Sequence, residues 1–158
     1  EAGYNFLPSE ISAAFALEQL KKLKQNLKKR NVNFELLKNF FSKLNKYFKL
    51  PEQYKDVKTA WLAFPLVIKK NSRFSRKDLQ IYLEKNNIQT RTIFTGNILK
   101  QPIIKNRKYK KLKNSEKNSN DVMKNGILIG CHQGMRIEEI NYIFKTFNKF
   151  LNKLVKPV

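Results

Sequence analysis

An apolar pattern with helical spacing in the first third of the chain constrains the fold most. Ser9 precedes this pattern in the position of a helix N-cap. Apolar residues then recur every three or four positions, at Ile11, Ala14, Phe15, Leu17, Leu20, Leu23 and Leu27. This is the spacing of one face of an amphipathic helix. The spacing continues past Val32 through Tyr47 and Phe48, until Leu50-Pro51 ends it. The pattern predicts one very long helix or two consecutive helices.

The middle of the chain predicts a strand, a helix and a second strand. Residues 60–68, AWLAFPLVI, are almost continuously apolar, which predicts a buried strand. Pro65 within it indicates an edge or a bulge, because proline donates no hydrogen bond to a neighbouring strand. Ser75 then precedes RKDLQIYLEKNN, where the apolar residues have helical spacing. A strand that begins at Ile88 follows directly, so we expect a compact α+β layer.

The stretch from Ile88 to Pro102, IQTRTIFTGNILKQP, is the most distinctive in the chain. Its first residues are typical of a strand, and Thr95-Gly96-Asn97 then favours a turn or a close backbone approach. Arg91 alternates with apolar neighbours, so its guanidinium can project from the sheet into a cleft. The planar fork of arginine suits carboxylate, phosphate or diphosphate groups because it donates two parallel hydrogen bonds. A solvated arginine on a sheet face is the alternative.

The remaining third predicts a loop, a strand and a helix. Residues 105–120, KNRKYKKLKNSEKNSN, are lysine-rich and have no sustained apolar face, which predicts a mobile loop. Structure is expected to restart at Asn120 or Asp121, and a short buried strand at residues 127–129 follows. The segment IEEINYIFKTFNKFLNKL carries an amphipathic stripe that predicts a closing helix.

The formal net charge of +21 suggests a nucleic-acid partner. Two features argue against it. The positive charge is mostly lysine, spread along the chain with abundant asparagine, which an AT-rich genome produces without selection for a ligand. The sequence also contains no zinc-finger spacing, no basic region with heptads and no aromatic strand signature for RNA. A basic nucleic-acid-binding domain therefore stays as an alternative, and nucleic acid is not the expected partner.

Cysteine and histidine usage limits the chemistry. The lone Cys131 excludes an intrachain disulfide, and together with the lone His132 it cannot form a zinc site of Cys and His ligands. We therefore expect no metal site and a reducing, cytoplasmic location. No apolar run is long enough for a membrane span, so no membrane association is expected. The chain begins with Glu1, in a segment typical of the middle of a protein, and is expected to be a fragment.

Several motifs occur together in an order that resembles a known family. GYNFLPSEISAAFALEQL resembles the GYN-x-x-x-[ST]-[ED]-[IL]-x-AA-x-x-x-x-QL segment of the DegT–DnrJ–StrS sugar aminotransferase family. WLAFPLVI, FSRKDLQIYLEKNNIQTRTIFTGNILKQP and NGILIGCHQGM are similar to its 4-keto-6-deoxyhexose 3-dehydratase branch, which serves lipopolysaccharide sugar synthesis. Ordinary sugar aminotransferases lack the TGN-x-x-x-QP run and usually carry Leu-Pro where Gly130-Cys131 stands. The resemblance covers nearly the whole chain except the lysine-rich segment.

The resemblance implies an α+β fold, the small C-terminal domain of a fold type I pyridoxal-phosphate-dependent transferase. Residues 1–50 would be the linking helix or helices from a missing cofactor domain. Residues 51–158 would be a small sheet flanked by helices, with a mobile basic loop near 105–120. The lysine that forms the Schiff base, or the histidine that replaces it in the dehydratases, would precede Glu1. No catalytic residue is therefore expected here, and the chain alone is expected to be inactive.

The resemblance also implies binding residues. Asn5 would reach the cofactor phosphate of the partner subunit, although a turn-forming asparagine before a helix is the alternative. The implied substrate-binding residues are Arg91, Thr95, Gly96, Asn97 and His132. A lone histidine is as often structural. Leu7 departs from the family, since many aminotransferase members have arginine there, and this favours the dehydratase branch.

The implied function is a pyridoxal- or pyridoxamine-phosphate-dependent dehydratase that removes the C3 hydroxyl of a nucleotide-linked ketosugar. The cofactor ring would act as the electron sink. The resemblance implies a homodimer. An aminotransferase of the same family remains the alternative, and the residue at the Schiff-base position distinguishes the two.

Overall fold

A four-stranded antiparallel sheet forms the centre of the protein. The computed structural model describes residues 9–112 and 115–155. The elements in chain order are α1 (Glu10–Ser42), β1 (Phe48–Lys49), β2 (Ala63–Ile68), α2 (Arg76–Lys85), β3 (Thr90–Arg91), α3 (Lys117–Asn125), β4 (Gly126–Gly130) and α4 (Ile137–Val155). Two short 3-10 turns, Ile98–Lys100 and Pro102–Ile104, follow β3. The strand order is β1-β2-β4-β3, so the predicted α+β architecture is confirmed.

The strand predicted at residues 60–68 is confirmed as β2 over Ala63–Ile68. Phe64, Leu66 and Ile68 are buried, and the residues between them are half-buried, so only one face of the strand packs into the core. Pro65 pairs with Leu128 of β4, whereas β1 pairs only with the last two residues of β2. Pro65 therefore has a partner strand on one side only, which a residue without an N–H tolerates.

The apolar pattern at the start of the chain forms the single helix α1, 33 residues long. The expected continuation of the helical pattern through Tyr47 and Phe48 is wrong, because the helix ends at Ser42. Phe48 instead pairs with Ile68 in the sheet and packs edge-on against Phe41, with ring centroids 5.7 Å apart. A buried aromatic residue every few positions fits a helix, but here tertiary packing decides for a strand.

Only the second half of α1 packs against the rest of the domain. Phe34, Leu37 and Phe41 are buried there. Every described residue up to Gln25 is exposed, and Ile11 retains 83% of its surface. The exposed apolar side chains of the first half have no partner among the described residues.

The core lies between one face of the sheet and α1, α2 and α4, and it is rich in phenylalanine. The helix predicted after Ser75 is confirmed as α2. Its N-cap is a capping box, in which the Ser75 hydroxyl accepts a hydrogen bond from the Asp78 N–H and the Asp78 carboxylate accepts one from the Ser75 N–H. The closing helix is confirmed as α4, which buries Ile140, Ile143 and Phe147. None of the helices in the described part of the chain is long and apolar enough to cross a membrane.

Two boundaries differ from prediction. The strand expected from Ile88 is only β3, and the chain leaves the sheet before Phe94, which has a φ of +46° and is 88% exposed. The helix α3 begins at Lys117, inside the segment predicted as a loop and before the expected restart at Asn120 or Asp121. The buried strand predicted at residues 127–129 is confirmed as part of β4.

Candidate functional site

Arg91 lies on β3, where it pairs with Leu128 of β4. Its side chain is exposed and lines a cavity of about 230 Å³, whose wall also includes Gln89 and Gly130. Because strand side chains alternate, Gln89 and Arg91 share one face and the buried Thr90 lies on the other. Arg91 therefore projects from the sheet towards a cavity, as an anion-binding or sugar-binding arginine would.

The orientation of β3 depends on Glu84 of α2. The N–H and the hydroxyl of Thr90 both donate to Glu84 Oε1, at 2.7 Å each. These hydrogen bonds stabilise the ionised carboxylate, so the pKa of Glu84 is lowered, with the Thr90 hydroxyl as the largest cause. The pair holds the inner face of β3 on α2 and leaves Arg91 on the outer face. No local sequence signal indicated this role of Glu84.

His132 lies in the segment between β4 and α4, at a cavity of about 450 Å³. The N–H of Gly134 donates to His132 Nδ1 at 3.2 Å, so in the neutral ring Nε2 carries the proton, and no described residue accepts from it. The Asn33 amide of α1 donates to the His132 carbonyl oxygen at 2.8 Å. Glu138, Glu139 and Tyr142 of α4 add polar groups to the cavity wall.

The cavities of Arg91 and His132 share Gln89 and Gly130. The structure therefore brings two of the predicted substrate residues to the same end of the sheet. Gly130 borders both cavities, and a Cβ there would lie 3.3 Å from the Met135 sulfur. Gln89 was missed from the sequence, although its position two residues before Arg91 could have shown that the two share a face.

The Thr95-Gly96-Asn97 turn lines neither of these two cavities. It packs against α3. Gly96 has a φ of +70°, and a Cβ built there would lie 2.3 Å from the Met123 Cβ. The close backbone approach predicted for this turn is therefore observed, and it requires glycine.

The polar side chains after Gly96 bond within the chain. Asn97 is 3% exposed, and its amide donates to Asn120 at 2.8 Å while accepting from the Leu99 N–H at 3.0 Å. The Gln101 amide donates to the Thr95 carbonyl at 3.0 Å and closes the turn. These contacts give the TGN-x-x-x-Q spacing a structural role. Substrate binding by Thr95, Gly96 and Asn97 stays a prediction.

Two predicted residues and the lone cysteine remain. Asn5 and Leu7 lie outside the described residues. Cys131 is fully buried, where its thiol lies 3.9 Å from the Arg30 carbonyl oxygen, and burial raises the pKa of the thiol to about 12. It is a core residue and not a nucleophile. Within residues 9–112 and 115–155, no group of His, Cys, Asp and Glu side chains is arranged to hold a metal ion.

Comparison with known proteins gives consistent results. The model of the DegT/DnrJ/EryC1/StrS aminotransferase family matches residues 1–148. The lipopolysaccharide biosynthesis protein RfbH of Salmonella typhimurium is 30% identical over 94% of this chain and 34% of its own length. The GDP-4-keto-6-deoxy-D-mannose 3-dehydratase of Escherichia coli O55:H7 is 36% identical over 89% of this chain and 36% of its own. The chain thus spans about a third of the length of these relatives.

A solved structure shows the same fold. The E. coli GDP-4-keto-6-deoxy-D-mannose 3-dehydratase with bound hydrated pyridoxal phosphate superposes with a TM-score of 0.82 at 34% identity. The match covers 92% of this chain and 37% of that one. The sheet and helices described above are therefore one part of a larger architecture in that protein.

Proposed function

The chain belongs to the DegT/DnrJ/EryC1/StrS aminotransferase family, and we propose that it is the C-terminal part of a nucleotide-sugar 3-dehydratase. Its substrate would be a nucleotide-linked 4-keto-6-deoxyhexose used for lipopolysaccharide sugars, and its cofactor pyridoxal or pyridoxamine phosphate. One observation carries the proposal. Arg91 and His132, each in a segment that resembles the dehydratases, line two adjoining cavities. The similarity to dehydratase relatives over about nine-tenths of the chain supports it.

In this proposal the described residues bind and orient the sugar. Arg91 donates hydrogen bonds to sugar oxygens, and the Thr90–Glu84 contact keeps its strand in place. The larger cavity is bordered by Gln89 and His132. There the Gln89 amide and the Nε2–H of His132 add hydrogen-bond donors for the sugar. Groups held by packed strands and by hydrogen bonds position a substrate better than mobile ones do.

The two cavities do not by themselves fit the cofactor. Among the described residues, their walls contain no aspartate for its ring nitrogen. The cofactor would be held by the rest of the longer protein, with Asn5 of a partner subunit at its phosphate. When bound, it would supply the electron sink for loss of the sugar hydroxyl.

The exposure of the first half of α1 supports the proposal that this chain is part of a larger protein. Its exposed apolar side chains include Ile11, Phe15 and Leu20, which a neighbouring domain would cover. Residues 1–50 would link that domain to residues 51–158. A homodimer and a cytoplasmic location also belong to the proposal.

The test uses the full-length protein and the substitution Arg91→Ala. We expect weaker binding of the sugar nucleotide, with the absorbance spectrum of the bound cofactor unchanged, because Arg91 contacts sugar and not cofactor. Arg107→Ala, an exposed arginine in the basic segment, is the matched control. Unchanged sugar affinity in the Arg91 variant refutes the assignment. Formation of an amino sugar in place of a 3-deoxy sugar by the unaltered protein supports the aminotransferase alternative.

A further inference from the structure

A basic cavity of about 650 Å³ lies between the middle of α1 and the turn that leads into α4. Its polar wall consists of three cations and three amides: Gln25, Lys28, Lys29, Asn33, Gln133 and Arg136. None of the described carboxylates belongs to this wall. The charges come from two elements more than a hundred residues apart in sequence, so the cluster is a product of the fold and not of a lysine run.

The positive charge in this cavity is only partly compensated. In the described part of the chain, neither Lys28 nor Lys29 lies within ion-pair distance of a carboxylate. The Arg136 guanidinium lies 3.3 Å from Glu139, which offsets part of its charge. Like charges brought together repel, and a bound anion relieves that repulsion. The cavity is therefore suited to a ligand with more than one negative charge.

Hydrogen bonds hold the two walls together before any ligand arrives. Arg30 Nε donates to Gln133 Oε1 at 2.7 Å, and no described residue accepts from the NH₂ group of Gln133. The Asn33 amide donates to the His132 carbonyl oxygen at 2.8 Å and fixes the same turn on α1. Cations and amide donors on a fixed frame lose less entropy on binding than mobile side chains do.

We propose that this cavity binds a diphosphate group. It shares Gly134 and Met135 with the His132 cavity, so a diphosphate here would adjoin the space assigned to the sugar. Lysine serves as a point charge for phosphate, and arginine adds paired donors. The diphosphate of the nucleotide-linked substrate is one source, and this assignment rests on the proposed function. Free pyrophosphate is the other source with the same chemistry.

The test is calorimetric titration of the full-length protein with inorganic pyrophosphate. We expect the double variant Lys28→Gln/Lys29→Gln to bind pyrophosphate about tenfold more weakly, because two charge-assisted contacts are lost. The matched control is Lys145→Gln/Lys149→Gln, two exposed lysines on α4 outside the cavity. Its affinity should stay within about twofold, because distant surface charges are screened. Equal weakening in both variants, or none in either, overturns the proposal.

A second titration with the nucleoside diphosphate GDP separates the two sources. A parallel loss of GDP affinity in the Lys28/Lys29 variant supports the nucleotide as the source. A loss for pyrophosphate alone overturns the nucleotide assignment and leaves a free-anion site. Neither titration depends on turnover. A protein that loses pyrophosphate affinity as expected but dehydrates no sugar therefore contradicts the proposed function and not the diphosphate site.

Discussion

Replacing Gly96 with alanine tests whether the turn after β3 is held by backbone contact with α3. The native φ of +70° is unfavourable for a residue with a Cβ by about 1–2 kcal/mol. The added Cβ would also lie 2.3 Å from the Met123 Cβ and 2.6 Å from its Cα, contacts that only a shift of α3 or of the turn relieves. Such overpacking costs about 1–3 kcal/mol. The two effects together predict a loss of about 3 kcal/mol in the free energy of unfolding.

Urea unfolding of the 158-residue chain measures this loss, because the domain contains its own core and a single tryptophan as a probe. Trp61 stacks on Phe34 with ring centroids 4.2 Å apart, so its fluorescence reports unfolding of the core. With a denaturant slope of about 2 kcal/mol/M, the midpoint should fall by about 1.5 M.

Gly134→Ala is the matched control for the Gly96 variant. Among the described glycines only Gly96 has a positive φ, and a Cβ at Gly134 would meet only the His132 ring, at 3.1 Å from Nδ1. A loss of less than about 1 kcal/mol is expected for the control. If Gly96→Ala is no more destabilising than Gly134→Ala, the turn is not constrained as described.

Two further predictions concern titratable groups. The lowered pKa of Glu84 means that its contact with Thr90 stabilises the fold above the ordinary glutamate pKa of about 4.3 and that this contribution is lost as the pH falls through the lower folded value. Glu84→Gln should therefore lower the melting temperature near neutral pH, with the difference from the unaltered chain shrinking in acid; a difference that is independent of pH contradicts the assignment. The Cys131 thiol, with its pKa raised to about 12 by burial, should react with a thiol reagent at pH 8 only after unfolding in urea. Rapid labelling of the folded chain would show that Cys131 is accessible.

The elements that could be predicted from sequence depend on contacts a few residues apart. The capping box joins Ser75 to Asp78 within one turn, so the start of α2 can be predicted from the local sequence. The apolar stripe of α4 follows the helical period. Gly96 in a run of small polar residues indicates a backbone constraint, and the structure shows the close approach to Met123.

The boundaries that differed from prediction depend on distant partners. The residue Phe48 fits the helical spacing of α1 as well as any other, and only its pairing with Ile68 makes it part of a strand. The short length of β3 likewise depends on a distant partner, since its pairing with β4 extends only from Thr90 to Arg91. The spacing of apolar residues indicates which residues are buried. It does not indicate which distant residues pack against them.

Local patterns in the sequence were enough to predict the types of most elements, the family, and Arg91 and His132 as candidate binding residues. Which of these candidates share a site followed only from the long-range packing of the folded chain. The register that pairs Arg91 with Leu128 places Arg91 beside the end of β4, from which the chain continues to His132. The contact between α1 and the turn before α4 likewise assembles Lys28, Lys29 and Arg136 around one cavity. Sites of this kind arise from long-range packing, because the residues that form them are brought together only when the core closes.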